Sequence, residues 1–257
     1  MTQQLFIAWS GLTNDLTAPL SGVSVGSTTK TVQQIVAPAN AAMSIKEWGY
    51  AILGTSLPTT PIQLELVTTG SVYATVTPGN VANYSNTGGQ PSQVQGDTVQ
   101  VVSFGTPSAG SAVLNFGGQS TTSVAYNATA STVQTDMQAL SNVGAGNATV
   151  TGSTGGPYTI TFASSVVPTP TPITITSSLT GGTPTVSGTH TGFNATAEGS
   201  ILSTRLLAMR AYPADWSAQY PLSDEPMVTN GHALRIRGTS PGGTVTIATY
   251  VKWVEGA

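Results

Sequence analysis

A long stretch without lysine or arginine constrains the fold and chemistry of this chain more than any single motif. Neither residue occurs between Lys46 and Arg205, and Asp136 is the only formal charge from Thr98 to Gly192. Short alternating runs of Thr, Ser, Gly, Ala, Val and Asn fill this stretch. Hydroxyl and amide groups keep such a surface hydrated, but they provide little for acid–base, metal or phosphate chemistry. The stretch therefore favours a β-rich structural module and a protein that is not an enzyme.

The overall composition predicts a folded, β-rich protein that binds no nucleic acid. Charged residues are 7% of the 257 residues and the formal net charge is −3, whereas about 25% charged residues is usual in globular proteins. Phosphate binding needs clustered lysine and arginine. Hydrophobic residues reach 39%, and the abundant Thr and Val prefer pleated sheets. Cysteine is absent, which excludes thiol catalysis and disulfide-stabilised scaffolds.

The sequence predicts no contact with a membrane. No run of about 20 apolar residues could form a spanning helix. The first nine residues hold a short apolar run and no basic residue, unlike a secretory signal peptide. We therefore expect a protein that is made in a cytoplasm.

Alternation of apolar and polar residues predicts strands on both sides of the low-charge stretch. Ile62, Leu64 and Leu66 alternate with polar neighbours, and so do Leu234 and Ile236. Turns rich in Gly, Pro and Asn separate these segments. About eight antiparallel strands predict an all-β fold, a jelly-roll-like β-sandwich. The strands predicted in this part are 31–36, 43–53, 62–66, 71–77, 201–211, 234–237 and 245–253.

We predict that the low-charge stretch is a small β-rich domain inserted into this sandwich. Residues 1–97 and 191–257 form the host domain, because neither half alone has enough strands to cover a core. Residues 98–190 form the insert, and its two ends should lie close together. The strands predicted within it are 98–104, 111–116, 121–126, 147–152, 157–163 and 172–177.

One short helix is predicted within the insert, over residues 130–142. Thr129 or Ser131 can cap its start, and Gly144 follows its end. Apolar residues recur at helical spacing and predict a stripe that packs onto the insert's own sheet. The stripe consists of Val133, Met137 and Leu140.

Two groups of short motifs stand out, one in each predicted domain. They lie at residues 115–122, 125–130, 142–147 and 155–162 in the insert, and at 48–50, 192–199, 234–237 and 250–253 in the host domain. The motifs of the insert resemble a small β-rich module found in virion proteins of tailed bacteriophages. The motifs of the host domain are similar to jelly-roll minor capsid or decoration proteins of phages that infect actinobacteria.

The resemblance implies a non-enzymatic structural protein of the virion that requires no cofactor. Such a decoration protein binds the major capsid protein on the outside of the head, often as a homotrimer, and stabilises the capsid. It is assembled in the cytoplasm of the host cell. The insert would project outward, either as a spacer or in weak contact with glycans of the cell envelope.

Basic residues are concentrated near the C-terminus and are candidates for contacts with the capsid or a neighbouring subunit. The planar guanidinium fork of arginine can hold carboxylates with two hydrogen bonds. The alternative is a solvated sheet surface with pairs inside the domain, to Glu198 or Glu255. The candidate contact residues are Arg205, Arg210, Arg235 and Arg237.

The proline-bounded segment 212–226 is the remaining candidate for chemistry or contacts. Its aromatic residues Trp216 and Tyr220 are predicted to dock on the sandwich or on a neighbouring subunit. A glycosidase built on this segment would need two carboxylates across a cleft. The acids available for that alternative are Asp215, Asp224 and Glu225.

Neither His190 nor His232 supports a metal site, because neither occurs at a metal-ligand spacing. The main alternative to the capsid hypothesis is a tail-associated or receptor-binding adhesin that contacts host-surface glycans, which would need exposed aromatic residues on the insert. The aromatic candidates of the insert are Phe104, Phe116, Tyr126, Tyr158 and Phe162, and their alternation with polar residues favours the core.

Overall fold

The fold is known from a computed structural model. It describes residues 5–10, 22–38, 41–54, 60–70, 72–79, 81–83, 94, 99–163, 166, 173–188, 190–199, 205–212, 215–229 and 231–256. Within these ranges the chain forms strands β1 to β21 and one helix, α1. This confirms the predicted all-β, sandwich-like fold with one short helix.

Strands from both ends of the chain build the host domain. Those before the insert are β1 (Leu5–Trp9), β2 (Val23–Val25), β3 (Lys30–Val36), β4 (Met43–Leu53), β5 (Ile62–Thr68), β6 (Thr75–Pro78) and β7 (Val81–Asn83). Those after it are β16 (Gly192–Ala197), β17 (Arg205–Tyr212), β18 (Trp216–Gln219), β19 (Met227–Val228), β20 (Ala233–Thr239) and β21 (Val245–Glu255).

The insert contains eight of the described strands and the helix. Its strands are β8 (Val99–Ser103), β9 (Ser111–Phe116), β10 (Gln119–Ser120), β11 (Val124–Ala125), β12 (Ala148–Gly152), β13 (Tyr158–Phe162), β14 (Thr174–Ser177) and β15 (Thr185–Gly188). The helix is α1 (Ala130–Gln138).

Two antiparallel sheets enclose the core of the host domain. Among the described residues, a seven-stranded sheet has the order β18-β4-β21-β1-β7, with β19 beside β4 and β2 beside β21. The opposite layer consists of five strands in the order β16-β3-β20-β5-β17, which form one end of a ten-stranded sheet. Trp48 and Trp253 from the first layer share one buried apolar cluster with Leu66 and Leu234 from the second. The apolar face of each sheet is therefore buried against the other, as in a β-sandwich.

A second buried cluster lies within the insert. It joins β8, β12 and β13 to the strands of a four-stranded sheet, in which β10, β11 and β14 border β9. Val133 and Met137 of α1 are fully buried in this cluster. Each core thus draws its buried residues from its own part of the chain.

The helix begins where the sequence predicts and ends earlier. The Thr129 side chain caps it by accepting a hydrogen bond from the Thr132 N–H at 3.2 Å. The predicted end at residue 142 is wrong, because the helix stops at Gln138. Leu140 is still buried, since the following turn closes through the Gly144 N–H and the Leu140 carbonyl at 2.8 Å.

The insert joins the host sheet through two neighbouring strands. β8 and β15 pair in antiparallel register from Ser103 opposite Thr185 to Gln100 opposite Gly188. β15 then meets β6 of the host domain where Gly188 lies opposite Val76. The sheet therefore continues from the insert into the host layer, and the chain enters and leaves the insert on adjacent strands.

Candidate functional site

Arg235 is buried on β20, although the sequence predicts it as a contact residue. Its side chain is 0% exposed. Its Nη1 donates to the Glu198 carbonyl at 3.0 Å, and its Nη2 donates to the Val72 carbonyl at 2.7 Å. Burial lowers the pKa of Arg235, while the charge of Glu198 opposes this shift. The Arg235 side chain therefore pairs within its own domain, which is the alternative that the sequence leaves open. It exposes no surface that a partner could contact.

Arg237 lies two residues along the same strand and is also paired within the chain. Its Nη1 lies 3.1 Å from Glu65 Oε2, and its Nε lies 3.8 Å from Glu198 Oε2. The Glu198 carboxylate also accepts hydrogen bonds from the backbone N–H and the hydroxyl of Thr31. These contacts connect β3, β5 and β20 to the segment after β16. The two arginines thus hold the outer face of this layer together.

The remaining arginine candidates lie on β17. Their backbone pairs with β5, where Arg205 lies opposite Thr68 and Arg210 lies opposite Leu64. Their side chains lie outside the described part of the structure. Their role in contacts stays a prediction.

Trp216 and Tyr220 fasten the edge strand β18 to the host core. The Trp216 ring meets the Trp48 ring edge to face, with centroids 5.2 Å apart. The Trp48 indole N–H donates to the Tyr220 hydroxyl at 3.1 Å. Both aromatic residues are half-buried against the core. They therefore dock on the sandwich of their own chain.

A rigid turn after β18 presents an apolar side chain to solvent. Leu222 is 86% exposed. The Asp224 N–H donates to the Pro221 carbonyl at 3.1 Å. Glu225 accepts hydrogen bonds from the Ser223 N–H at 3.0 Å and from the Lys46 Nζ at 2.7 Å. We call residues 221–225 the Leu222 turn. Local sequence patterns did not indicate it, because a single leucine in a polar loop carries no periodicity.

The outer face of the seven-stranded sheet carries a second network, around Glu47. Its carboxylate accepts hydrogen bonds from the Tyr250 hydroxyl, from Lys252 Nζ at 2.9 Å and from Gln219 Nε2 at 3.1 Å. Burial raises the pKa of Glu47, but these three hydrogen bonds outweigh burial and leave the pKa below its ordinary value. Burial and the Glu47 carboxylate raise the pKa of Tyr250 to about 12.

Beside this network lies a shallow cleft at the edge of the sheet. It has a volume of about 510 Å³ and is lined by Tyr50, Asp215, Trp216, Ser217 and Tyr250. The Asp215 Oδ1 accepts a hydrogen bond from the Ile52 N–H at 2.9 Å. The ring of Trp9 lies against the ring of Tyr250, with centroids 4.8 Å apart and planes tilted by 35°.

The three acids of the glycosidase alternative do not converge on this cleft. Asp215 bonds to the backbone at Ile52, whereas Glu225 pairs with Lys46. These two positions on β4 are six residues apart, which corresponds to about 20 Å along a strand. Two carboxylates that cleave a glycosidic bond lie about 5 to 9.5 Å apart. The arrangement gives this chemistry no support.

The aromatic residues of the insert lie mostly in its core. Phe104 and Tyr158 are fully buried and meet edge to face at 5.6 Å. Phe116 and Phe162 are 3% exposed and stack at 4.5 Å. Tyr126 is half-buried. The arrangement does not favour a glycan-binding surface on the insert.

The described residues hold no group of three or more His, Cys, Asp or Glu side chains that could bind a metal ion. No helix in the described ranges has the length and apolar character to cross a membrane. Neither a protein-family model nor a curated protein matches this chain.

Proposed function

We propose that this chain is a non-enzymatic structural protein of a tailed-bacteriophage virion, which binds the outside of the capsid and stabilises it. The resemblance of its motifs to phage decoration and minor capsid proteins supports this class. The observation that carries the proposed contact is the Leu222 turn. Its apolar side chain is 86% exposed, while hydrogen bonds and an ion pair fix the turn beneath it.

A fixed apolar side chain suits a contact that is repeated many times on a shell. Burying a leucine side chain contributes about 1.5–3 kcal/mol. Because the turn is already ordered, little additional conformational entropy is lost on binding. Met227, two residues beyond the turn, is 40% exposed and adds to the exposed apolar area of this segment. Many such contacts would together resist rupture of a filled head.

We further propose that three copies surround a closed axis and bind the major capsid protein together. The strand β7 ends the seven-stranded sheet on the side away from β18, among the described residues. Edge strands invite pairing with other chains, and a closed symmetric oligomer protects them. The insert, with its nearly uncharged surface, would project away from the shell as a spacer.

The use of charge in the host domain supports a structural role. Lys46, Arg235, Arg237 and Lys252 all pair with glutamates of the same chain. Two of the pairs join neighbouring strands of one sheet, Lys252 with Glu47 and Arg237 with Glu65, and the other two join a strand to a loop. The charged groups thus stabilise each sheet from within, as expected for a structural module.

A co-sedimentation experiment tests the proposal. Purified protein is mixed with heads assembled from the major capsid protein of the phage proposed to encode it, and the bound fraction is measured. Leu222→Asp should weaken binding at least tenfold, since about 1.4 kcal/mol corresponds to a factor of ten. Thr154→Asp adds the same charge to an exposed loop of the insert and should bind as the wild type does. A protein that stays monomeric and does not sediment with the heads would refute the proposal.

A further inference from the structure

We propose that the outer face of the seven-stranded sheet carries a carbohydrate-binding site, in which the ring of Tyr250, supported by Trp9, forms the stacking surface and Asp215 and Ser217 supply polar contacts. This inference does not rest on attachment to a capsid. It concerns the host domain rather than the insert.

The aromatic surface is built from two strands that lie side by side. Trp9 of β1 and Tyr250 of β21 occupy opposite positions in the register, and both are half-buried. Their ring centroids lie 4.8 Å apart. Amphipathic aromatic rings at a partly wet surface suit ligands that have both apolar and polar faces. The C–H face of a pyranose ring has this character.

Gly49 gives the Tyr250 ring its place on the sheet. A Cβ atom at position 49 would lie 2.8 Å from Tyr250 Cε1 and 2.7 Å from the Trp216 carbonyl oxygen. The ring therefore lies directly over the glycine of the neighbouring strand. A larger residue would lift the ring off the sheet and close the floor of the cleft.

The Tyr250 ring is also fixed at its hydroxyl. The hydroxyl donates to Glu47, which in turn is held by Lys252 and Gln219. A ring that is fixed before binding loses little freedom when a ligand stacks on it. The charges of Glu47 and Lys252 compensate each other across 2.9 Å.

The polar groups of the cleft favour a neutral sugar. Asp215 and Ser217 are both exposed beside Tyr250, and the Ser217 side chain is hydrogen-bonded to Tyr250. One oxygen of Asp215 is oriented by the Ile52 N–H, so the carboxylate is positioned to accept hydrogen bonds from sugar hydroxyls. Its negative charge disfavours acidic or phosphorylated sugars. The volume of about 510 Å³ lies within the range of small-ligand sites and matches one or two pyranose rings.

The test uses the full-length protein and methyl glycosides of glucose, galactose and mannose. Saturation-transfer NMR and tryptophan fluorescence would measure the binding of each. We expect saturable binding of at least one glycoside, weakened about fivefold by Tyr250→Ala, as loss of an aromatic contact predicts. Asp215→Asn should weaken it to a similar degree while keeping the acceptor for the Ile52 N–H. This second variant decides the matter if Tyr250→Ala fails to fold.

Tyr126→Ala is the matched control, because it removes a half-buried tyrosine of the insert. It should bind the glycoside as tightly as the wild type. The proposal is overturned if no glycoside binds saturably, or if binding survives Tyr250→Ala and Asp215→Asn. It is equally overturned if Tyr126→Ala is the variant that loses binding.

Discussion

Replacement of Arg235 by alanine should destabilise the host domain strongly, even though the residue is a charged one on a strand. Its guanidinium is 0% exposed and donates to the carbonyls of Val72 and Glu198. The alanine variant would leave both carbonyls without these donors and would remove a partner of the Glu198 carboxylate. A hydrogen bond to a charged group contributes about 1.5–3 kcal/mol, so the loss of both should cost about 3–6 kcal/mol.

Arg237→Ala is an internal control for this prediction. It removes the same side chain from the same strand, two residues away, and also breaks a contact with Glu198. Arg237 is 17% exposed and its partner Glu65 is 33% exposed. Pairs that are accessible to solvent contribute about 0–1 kcal/mol. The difference between the two variants therefore measures the two buried hydrogen bonds to backbone carbonyls that Arg235 makes and Arg237 does not.

Urea unfolding followed by tryptophan fluorescence would measure both free energies. All four tryptophans belong to the host domain, so the signal reports this core and not that of the insert. With a slope of about 2 kcal/mol per molar urea, Arg235→Ala should lower the midpoint by about 1.5–3 M. Equal midpoints for the two variants would refute the argument that burial makes Arg235 structurally essential.

Three further predictions concern other parts of the molecule. Gly49→Ala should cost about 1–3 kcal/mol by overpacking, measured by the same urea assay, because its Cβ would lie 2.8 Å from the Tyr250 ring. Met137→Ala should destabilise the insert by about 2–5 kcal/mol, seen by near-ultraviolet dichroism of its tyrosines, while the tryptophan transition stays unchanged. Glu47 has a lowered pKa, so its contribution to the free energy of unfolding is present above the ordinary pKa of 4.5 and is lost as the pH falls. The thermal unfolding temperature of Glu47→Gln should therefore depend less on pH in the acid range than that of the wild type.

Sequence patterns predicted the long strands well because alternation is a local property. The strand β4 was predicted over 43–53 and spans Met43–Leu53. Its core-facing residues alternate on each side of one bulge, Met43 and Ile45 before it and Trp48 and Tyr50 after it, so a short window still contains the information. The cap at Thr129 was predictable for the same reason, since its hydrogen bond reaches only three residues ahead.

The features that matter for the candidate sites depend on contacts between distant parts of the chain. Arg235 alternates with apolar neighbours and so resembles a solvent-facing residue. It is buried because the backbone near Val72 and Glu198 supplies acceptors above it. The pairing of Trp9 with Tyr250 likewise joins the two ends of the chain. No local pattern carries such information.

The side-by-side arrangement of β8 and β15 has a consequence for engineering. Two antiparallel neighbours are separated by only about 5 Å, so the segment between them begins and ends at nearly the same point of the sheet. A foreign polypeptide whose own termini emerge as such a pair could replace residues 104–184 without altering the spacing that the sandwich requires. The pair of strands β8 and β15 is therefore a suitable position for inserting a foreign domain.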